Sequence, residues 1–196
     1  MMFWNGDPTG DYEFLAANGI STYTLHSDQD GATIASVYED FRNMGKIFGV
    51  EERAEEIISE MEAKIASVQV NTQSPVSVVY VDAYSSEESA FTAGNALVAD
   101  IFRTAGGENI ISDTTDPWLN VSWETIAAAN PQYIVIGVYA GAEDADRWIE
   151  FLKTNPATAT MDAVMNENFI IVGLADLTVG ERIADTVVML ADIFRK

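Results

Sequence analysis

The amino-acid sequence predicts an α/β protein: a doubly wound, mainly parallel sheet in a three-layer lobe, preceded by a long helical spine. Two observations support this fold class. Short apolar runs without strict alternation recur after residue 75, as is typical of strands covered on both faces. Helical patterns lie between these runs, and strands that alternate with helices form parallel sheets. We therefore expect a short helix and strand over 1–28, the spine over 29–74 and the α/β lobe over 75–196.

The spine is predicted from a narrow apolar seam on a helix that begins near Thr33. The seam residues recur at steps of three and four, which places them on one helix face; they are Ile34, Val37, Phe41, Met44 and Phe48. Gly49 interrupts the helix, and the helical pattern resumes through Val68. Upstream, residues 11–18 predict a short helix and residues 20–25 a strand.

The lobe begins after a polar hinge over residues 71–75, where the periodicity changes to that of a sheet. Four apolar runs are the expected strands: 76–81, 109–111, 133–137 and 169–173. Three helices are expected to cover the sheet with apolar stripes. The stripes consist of Ala96, Leu97, Ile101, Phe102 and Ala105, then Trp148, Phe151 and Leu152, and last Ile183, Val187, Leu190, Ala191 and Phe194.

Composition and charge exclude several function classes. The chain holds 31 acidic and 10 basic residues, a formal net charge of −21, and its lysines and arginines form no basic patch. Such a surface repels phosphate backbones and anionic lipids, so we expect neither nucleic-acid binding nor direct membrane insertion. No apolar stretch reaches the roughly 20 residues of a membrane span, and the first residues lack the pattern of a signal peptide. Because the chain has no cysteine, disulfides and thiolate sites are excluded.

Catalytic and cofactor motifs are absent from the sequence. It contains no nucleophile elbow, no P-loop and no dinucleotide fingerprint, and its single histidine is His26. With 31 carboxylates in the chain, some lie together by chance, and we predict no metal site, no cofactor and no catalytic residue. A binding protein is therefore the first hypothesis. An α/β enzyme that uses His26 with a carboxylate remains as an alternative.

Three aromatic residues follow or flank the predicted strands: Tyr84 comes after the first, Tyr139 after the third, and Trp118 precedes the helix that begins at Ser122. In an open parallel sheet, ligands bind beyond the carboxyl ends of the strands. Amphipathic rings suit a flat or extended ligand. We therefore expect these three rings to form a binding face.

The stretch "DPWLNVSWETIAAANPQYIVIG" (116–137) separates two tryptophans with different expected roles. Ser122 is the expected N-cap, and the helix that follows should bury one face, formed by Trp123, Ile126, Ala127 and Asn130. Trp118 lies in a turn with Pro117 and has no such packing role. Glu124 falls in the first helical turn, where the helix dipole favours a negative charge by roughly 0.3–1 kcal/mol.

The same stretch resembles the second-lobe signature of the periplasmic solute-binding proteins that deliver ferric siderophores, haem or cobalamin to ABC importers. Other segments are similar to further parts of that family, in the same order and over about residues 10–196. They are "MGKIFGVEERAEEIISEMEAKI" for the inter-lobe helix region, "FTAGNALVADIFRTAGGENII" for the start of the second lobe, and "AVMNENFIIVG" with "LTVGERIADTVVMLADIF" for its closing strand and helix.

The resemblance implies a non-catalytic, extracytoplasmic protein that captures a ferric siderophore, haem or corrinoid and docks to an ABC permease. By the same resemblance, Trp118 contacts the ligand in the cleft between two lobes, with Tyr84 and Tyr139 on neighbouring loops. Arg182 falls near a position where some relatives have an arginine that reaches the cleft. Glu124 matches the glutamate that faces the permease.

The resemblance also implies a first lobe, of which only "DYEFLAANGISTYTL" is present, so residues 1–28 are interpreted as its remnant and the chain as truncated. A missing lobe would leave the seam of the spine partly uncovered, and an exposed apolar stripe favours self-association. We therefore predict a homodimer. The alternative function is that of an isolated lobe that serves protein interaction or dimerisation without binding solute.

Overall fold

The computed structural model describes residues 2–4, 9–68, 70, 74–139 and 142–195. In chain order its elements are β1 (Met2–Trp4), α1 (Thr9–Ala17), β2 (Thr22–Thr24), a 3-10 helix (His26–Asp28), α2 (Ile34–Phe48), α3 (Glu51–Ala66), β3 (Val76–Val81), β4 (Ser89–Ala93), α4 (Leu97–Thr104), β5 (Gly107–Asn109), β6 (Trp118–Ser122), α5 (Trp123–Ala129), β7 (Tyr133–Val138), α6 (Ala142–Thr154), α7 (Asp162–Met165), β8 (Phe169–Gly173), α8 (Leu174–Leu177) and α9 (Arg182–Phe194). No helix within these residues is both long enough and apolar enough to cross a bilayer.

The central sheet has the order β5-β3-β7-β8, and each neighbouring pair is parallel. Side chains of β3 alternate between two cores: Val78 and Tyr80 belong to one, Val79 and Val81 to the other. The first core includes side chains of α2, α3, α4 and α9, and the second includes those of α5, α6 and α7. Because helices cover both faces, the strands carry continuous apolar runs. The predicted three-layer α/β fold is confirmed.

Three of the four predicted strands are present at their predicted positions, with β7 one residue longer than expected. The fourth prediction, 109–111, is wrong by two residues because β5 is Gly107–Asn109. The sequence also missed β4 and β6, which form an antiparallel pair. Along β6 the side chains alternate between half-buried and exposed, so this strand has no apolar run that would reveal it.

The predicted spine consists of two helices that pack against each other. Gly49, in the left-handed conformation at φ 69°, ends α2 and lets the chain reverse into α3. Arg42 of α2 pairs with Glu55 of α3 at 2.8 Å between Nε and Oε1. The pair also attaches to the lobe, because Lys64 Nζ lies 2.6 Å from Asp185 Oδ1 on α9. The predicted hinge over 71–75 lies largely outside the described residues, which omit 71–73.

The apolar seam of α2 is covered within the chain for most of its length. Ile34 and Val37 are buried in the first core, and Phe41 packs against it. Met44 is half-buried, and Phe48, at 58% exposure, is the seam residue that faces solvent most. The expected exposure of the seam is therefore limited to its end at Phe48, because the lobe itself covers the rest of the helix face. An exposed stripe of this length does not support the predicted homodimer.

The N-terminal segment forms a small β-α-β unit in which β1 and β2 pair in parallel. The helix and the second strand were predicted, and β1 was not. This unit is anchored by Asp40, a fully buried carboxylate on α2. Its Oδ1 accepts hydrogen bonds from the Tyr23 hydroxyl at 2.7 Å and the His26 amide at 2.9 Å, and its Oδ2 accepts from the Ser27 amide at 2.9 Å.

We expect Asp40→Ala to release this anchor. The substitution leaves the amides of His26 and Ser27 without acceptors, and each unsatisfied buried donor costs about 1–3 kcal/mol. A loss of about 2 kcal/mol, in the middle of this range, should make the native-state hydrogen exchange of these two amides about 30-fold faster, because each 1.4 kcal/mol is a factor of ten. Asp40→Asn, which keeps one acceptor oxygen, should give a smaller change. Unchanged exchange in Asp40→Ala would contradict the anchor.

Candidate ligand-binding site

Trp118 is the first residue of β6, not a turn residue as expected, and its backbone pairs with Ala93 of β4. Its ring stacks on Phe91 with centroids 5.7 Å apart and meets Tyr80 edge-on at 5.9 Å. The ring is nonetheless 39% exposed. One face of the indole is therefore held by neighbouring rings while the rest is open to a ligand.

The loop before Trp118 is fixed to the end of β4 by backbone hydrogen bonds. The Gly94 amide donates to the Pro117 carbonyl at 2.8 Å, and the Asn95 amide donates to the Asp116 carbonyl at 2.9 Å. Gly94 is buried, and a side chain there would collide with the Asp116 carbonyl. The position of the indole thus depends on a close backbone contact that only glycine permits.

Tyr84 and Tyr139 lie on the loops that follow the neighbouring parallel strands β3 and β7. Their rings meet at 5.2 Å in a T-shaped arrangement, which is a favoured geometry for aromatic pairs. Tyr84 is 73% exposed and Tyr139 is 48% exposed. The sheet therefore brings together two tyrosines that are 55 positions apart in the sequence.

Asp82 links the two groups of rings. This carboxylate is 2% exposed. It accepts a hydrogen bond from the Tyr80 hydroxyl at 2.8 Å through Oδ2 and from the Tyr84 amide at 2.9 Å through Oδ1. We call the resulting cluster the aromatic site. It comprises Tyr80, Asp82, Tyr84, Phe91, Trp118 and Tyr139.

Two hydroxyls of the aromatic site, those of Tyr80 and Tyr139, stay protonated at neutral pH. Burial raises the pKa of Tyr139 to about 12, and the charges of Asp82 and the neighbouring Tyr84 act in the same direction. Burial, followed by the charge of Asp82, also raises the pKa of Tyr80 far above its ordinary value. Both phenols are therefore neutral and can donate hydrogen bonds.

A crevice of about 50 Å³ borders Trp118, and its lining residues come from the N-terminal segment and from the α/β lobe. Ser27 and Gln29 line one side, while Pro117 and the segment Leu177–Val179 contribute elsewhere along it. Since one water occupies roughly 30 Å³, this crevice is too small for a chelate or a macrocycle. A large ligand would have to rest on the exposed rings of the aromatic site.

The sequence of this chain matches a known protein family over most of its length. The sequence profile of the periplasmic binding proteins matches residues 2–173. The chain belongs to the periplasmic binding protein family.

Curated relatives of this periplasmic binding protein include vitamin B12-binding proteins. That of Photorhabdus laumondii is 24% identical over 151 residues, which cover 76% of this chain and 52% of the relative. That of Salmonella paratyphi A is 40% identical over 52 residues, or 26% of this chain and 20% of the relative. The chain thus spans about half the length of the relatives that it matches over most of its own length.

Solved structures of the same class share the fold. A periplasmic binding protein of Veillonella parvula superimposes with a TM-score of 0.87 at 26% identity, covering 95% of this chain and 66% of that one. A periplasmic heme-binding protein of Roseiflexus sp. RS-1 gives 0.80 at 19% identity, covering 98% of this chain and 73% of that one. Because the Roseiflexus protein is only 19% identical, its likeness shows a shared fold and nothing more.

Glu124 of this periplasmic binding protein is exposed in the first turn of α5, as predicted. Ser122 caps the helix through a 3.2 Å hydrogen bond from the Thr125 amide, which confirms the predicted N-cap. Within the described residues Glu124 forms no ion pair. Four residue steps of β6 place Ser122, the N-cap of the helix that carries Glu124, about 13 Å from Trp118 along the strand.

The rest of α5 agrees with the prediction except at its C-terminal end. Trp123 and Ile126 are buried in the second core, and the Trp123 Nε1 donates to the Ser86 carbonyl at 3.1 Å. Asn130 was expected in the buried stripe, and this is wrong. It is exposed and ends the helix in the left-handed conformation at φ 45°, a role that asparagine tolerates well.

Arg182 lies apart from the aromatic site. It lines a separate hollow of about 350 Å³ between β8 and α9, together with Ile171, Asp185 and Met189. Its Nε is 3.3 Å from Asp176 Oδ1. The structure therefore brings together Trp118, Tyr84 and Tyr139 but does not join Arg182 to them.

His26 is exposed at the end of the N-terminal unit, with Nδ1 3.2 Å from Glu39 Oε2. A histidine and an acid thus lie within hydrogen-bond reach, but on the surface and outside the aromatic site. Among the described residues no group of three or more acidic or histidine side chains could hold a metal ion.

Sequence reasoning missed two central members of the site. Tyr80 falls within the predicted strand 76–81, and Asp82 is one of the 31 carboxylates to which the sequence assigns no role. The available signal was position. Asp82 directly follows a fully buried strand, at the sheet edge where parallel α/β folds place their ligands.

Proposed function

We propose that this chain forms one wall of the ligand-binding cleft of an extracytoplasmic solute-binding protein for an ABC importer. The ligand would be a ferric siderophore, haem or a corrinoid, captured without catalysis. The observation that carries the proposal is the aromatic site, in which Trp118, Tyr84 and Tyr139 stay exposed although packing and hydrogen bonds fix their positions. Rigid, exposed rings bind a flat ligand at a low cost in conformational entropy.

The proposal assigns roles to the other parts of the chain. Residues 75–196 form the ligand-binding lobe, 29–74 the inter-lobe helices, and 1–28 belong to the other lobe. Glu124 serves as a docking charge for the permease, which is supported by its exposure and by the absence of an ion-pair partner among the described residues. Arg182 would join the ligand only if it left Asp176, and we rank it behind the three rings.

The test is calorimetric titration of the purified chain with haemin, cyanocobalamin, ferrioxamine B and a ferric tris-catecholate. We expect saturable binding of at least one probe, and Trp118→Ala should weaken it about tenfold or more, because burying an aromatic ring is worth about 1.5–3 kcal/mol. Trp118→Phe should retain most of the affinity, since it keeps an aromatic face.

The matched control is Met165→Ala, which removes an exposed apolar side chain, 60% accessible, before the amino end of β8 and thus away from the aromatic site. This variant should bind like the original chain. Equal weakening in both variants would contradict the assignment of the site. No saturable binding up to about a millimolar would contradict solute capture by this chain and favour the interaction module instead.

A further inference from the structure

The charge of the aromatic site is set by carboxylates. Asp82 is buried at its centre, with one oxygen on Tyr80 and the other on the Tyr84 amide. Exposed acids flank the two loops that present the rings: Glu87 and Glu88 follow Tyr84, and Asp113 and Asp116 precede Trp118. A ligand seated on the rings would therefore lie over one buried carboxylate, with four exposed acids on the two loops that present the rings.

Eight of the nine lysines and arginines that the structure describes are engaged elsewhere, and the ninth, Lys46, lies in the last turn of α2. Seven lysines and arginines pair with carboxylates; these are Arg42, Arg53, Lys64, Arg103, Lys153, Arg182 and Arg195. Arg147 lies over the ring of Trp148 at 4.6 Å from its centroid, on the other side of the sheet. None of the ion pairs, hydrogen bonds or cation–π contacts made by these side chains reaches the aromatic site.

The neutral members of the aromatic site also favour cationic over anionic ligands. The faces of aromatic rings carry negative potential, so they attract cations and repel anions that approach them. The hydroxyl of Tyr139, a residue 48% exposed, is protonated and offers a hydrogen bond without a charge. None of the described members of the site carries a positive charge that would compensate a carboxylate or catecholate on the ligand.

Resting on the function proposed above, we infer that the aromatic site selects ligands with a flat or ring-shaped face and a charge of zero or above, and that Asp82 sets this selection. Neutral and cationic corrinoids and ferric hydroxamates meet this requirement. Ferric tris-catecholates, with a charge of −3, and haem, with two propionates, do not. The inference divides the proposed ligand group by charge.

The test uses probes that share one framework and differ in charge. The first series is aquocobalamin at pH 6.5 (+1), cyanocobalamin (0) and a cyanocobalamin monocarboxylate (−1). The second is ferrioxamine B (+1), its N-acetyl derivative (0) and its N-succinyl derivative (−1). We expect affinity in the series that binds to fall from +1 to −1 by about tenfold or more, and the preference to shrink as salt rises from 20 to 500 mM.

Asp82→Asn removes the buried charge while keeping the size of the side chain and an acceptor for the Tyr84 amide. We expect it to reduce the ratio of +1 to −1 affinities several-fold. If this variant does not fold, Glu87→Gln with Glu88→Gln removes two exposed charges from the same loop and should reduce the ratio by a smaller factor. Met165→Ala should leave the ratio unchanged.

The outcomes separate the inference from the proposed function. Equal affinity across the series that binds, or tighter binding of the anion, would overturn the charge selection and leave solute capture in place. A ratio that neither Asp82→Asn nor the loop variant alters would overturn the role of these carboxylates. Failure of every probe in both series, together with haemin and the tris-catecholate, would overturn the proposed function itself.

Discussion

Gly137→Ala is expected to lower the free energy of unfolding by about 3 kcal/mol, the upper part of the range for an overpacked core. Gly137 is buried in β7, beside β3. A Cβ atom at this position would overlap the Tyr80 hydroxyl oxygen and would lie 2.7 Å from Cζ of the same ring. Tyr80 cannot move freely, because its side chain is fully buried and its hydroxyl donates to Asp82. Urea denaturation followed by circular dichroism would measure the loss.

Two variants sharpen this prediction. Tyr80→Phe in the Gly137→Ala background removes the overlapping oxygen and should restore part of the stability, although the rest of the ring still crowds the new methyl group. Gly180→Ala is the matched control, because the nearest atom to its Cβ is 4.0 Å away, and its effect should be within about 0.5 kcal/mol. Equal stability of Gly137→Ala and Gly180→Ala would show that Tyr80 is not packed against β7 as described.

Tyr80 connects the first core to the aromatic site. Tyr80 meets Trp118 edge-on, and a displaced Tyr80 ring must change the surroundings of that indole. Trp123 and Trp148, in contrast, belong to the second core on the opposite face of the sheet. Tyr80, which packs against β7, is thus also a member of the aromatic site.

Much of the fold could be predicted because burial on both faces of β3 and β7 favours apolar residues at most positions of these strands. No such requirement acts on β6, where Trp118, Asn120 and Ser122 are exposed and the composition resembles that of a loop. The spine was predicted as helical, but its packing on the lobe was not, since periodicity shows which face is apolar and not what covers it.

The aromatic site was predictable to the extent that topology determines it. Tyr84 and Tyr139 follow strands that proved to be neighbours, so their meeting could be expected from the sheet order alone. The contacts of Asp82 with Tyr80 and with the Tyr84 amide depend on side-chain directions at the end of β3, which a single sequence does not specify. Arg182 was placed by resemblance; here its Nε lies 3.3 Å from Asp176 Oδ1, and the hollow that it lines includes none of the rings.

Gly94→Ala is expected to weaken ligand binding about tenfold or more and to cost about 2–3 kcal/mol of stability. The new methyl group would overlap the Asp116 carbonyl oxygen and lie 2.5 Å from Thr114 Cγ2. The carbonyl belongs to the backbone, so the loop that carries Trp118 must shift as a unit and would lose the 2.8 Å hydrogen bond from the Gly94 amide to the Pro117 carbonyl. Titration with the probe that binds the original chain, paired with urea denaturation, measures both effects.

A second substitution distinguishes the backbone collision from the side-chain collision. Thr114→Ala in the Gly94→Ala background removes Cγ2 but leaves the Asp116 carbonyl where it is, so neither affinity nor stability should return to the original values. Full restoration would mean that the Thr114 side chain alone requires glycine at this position. If instead Gly94→Ala binds ligand normally while losing stability, the loop tolerates the shift without moving the indole, and Trp118 is not held by residues 93–95 in the way that the backbone hydrogen bonds imply.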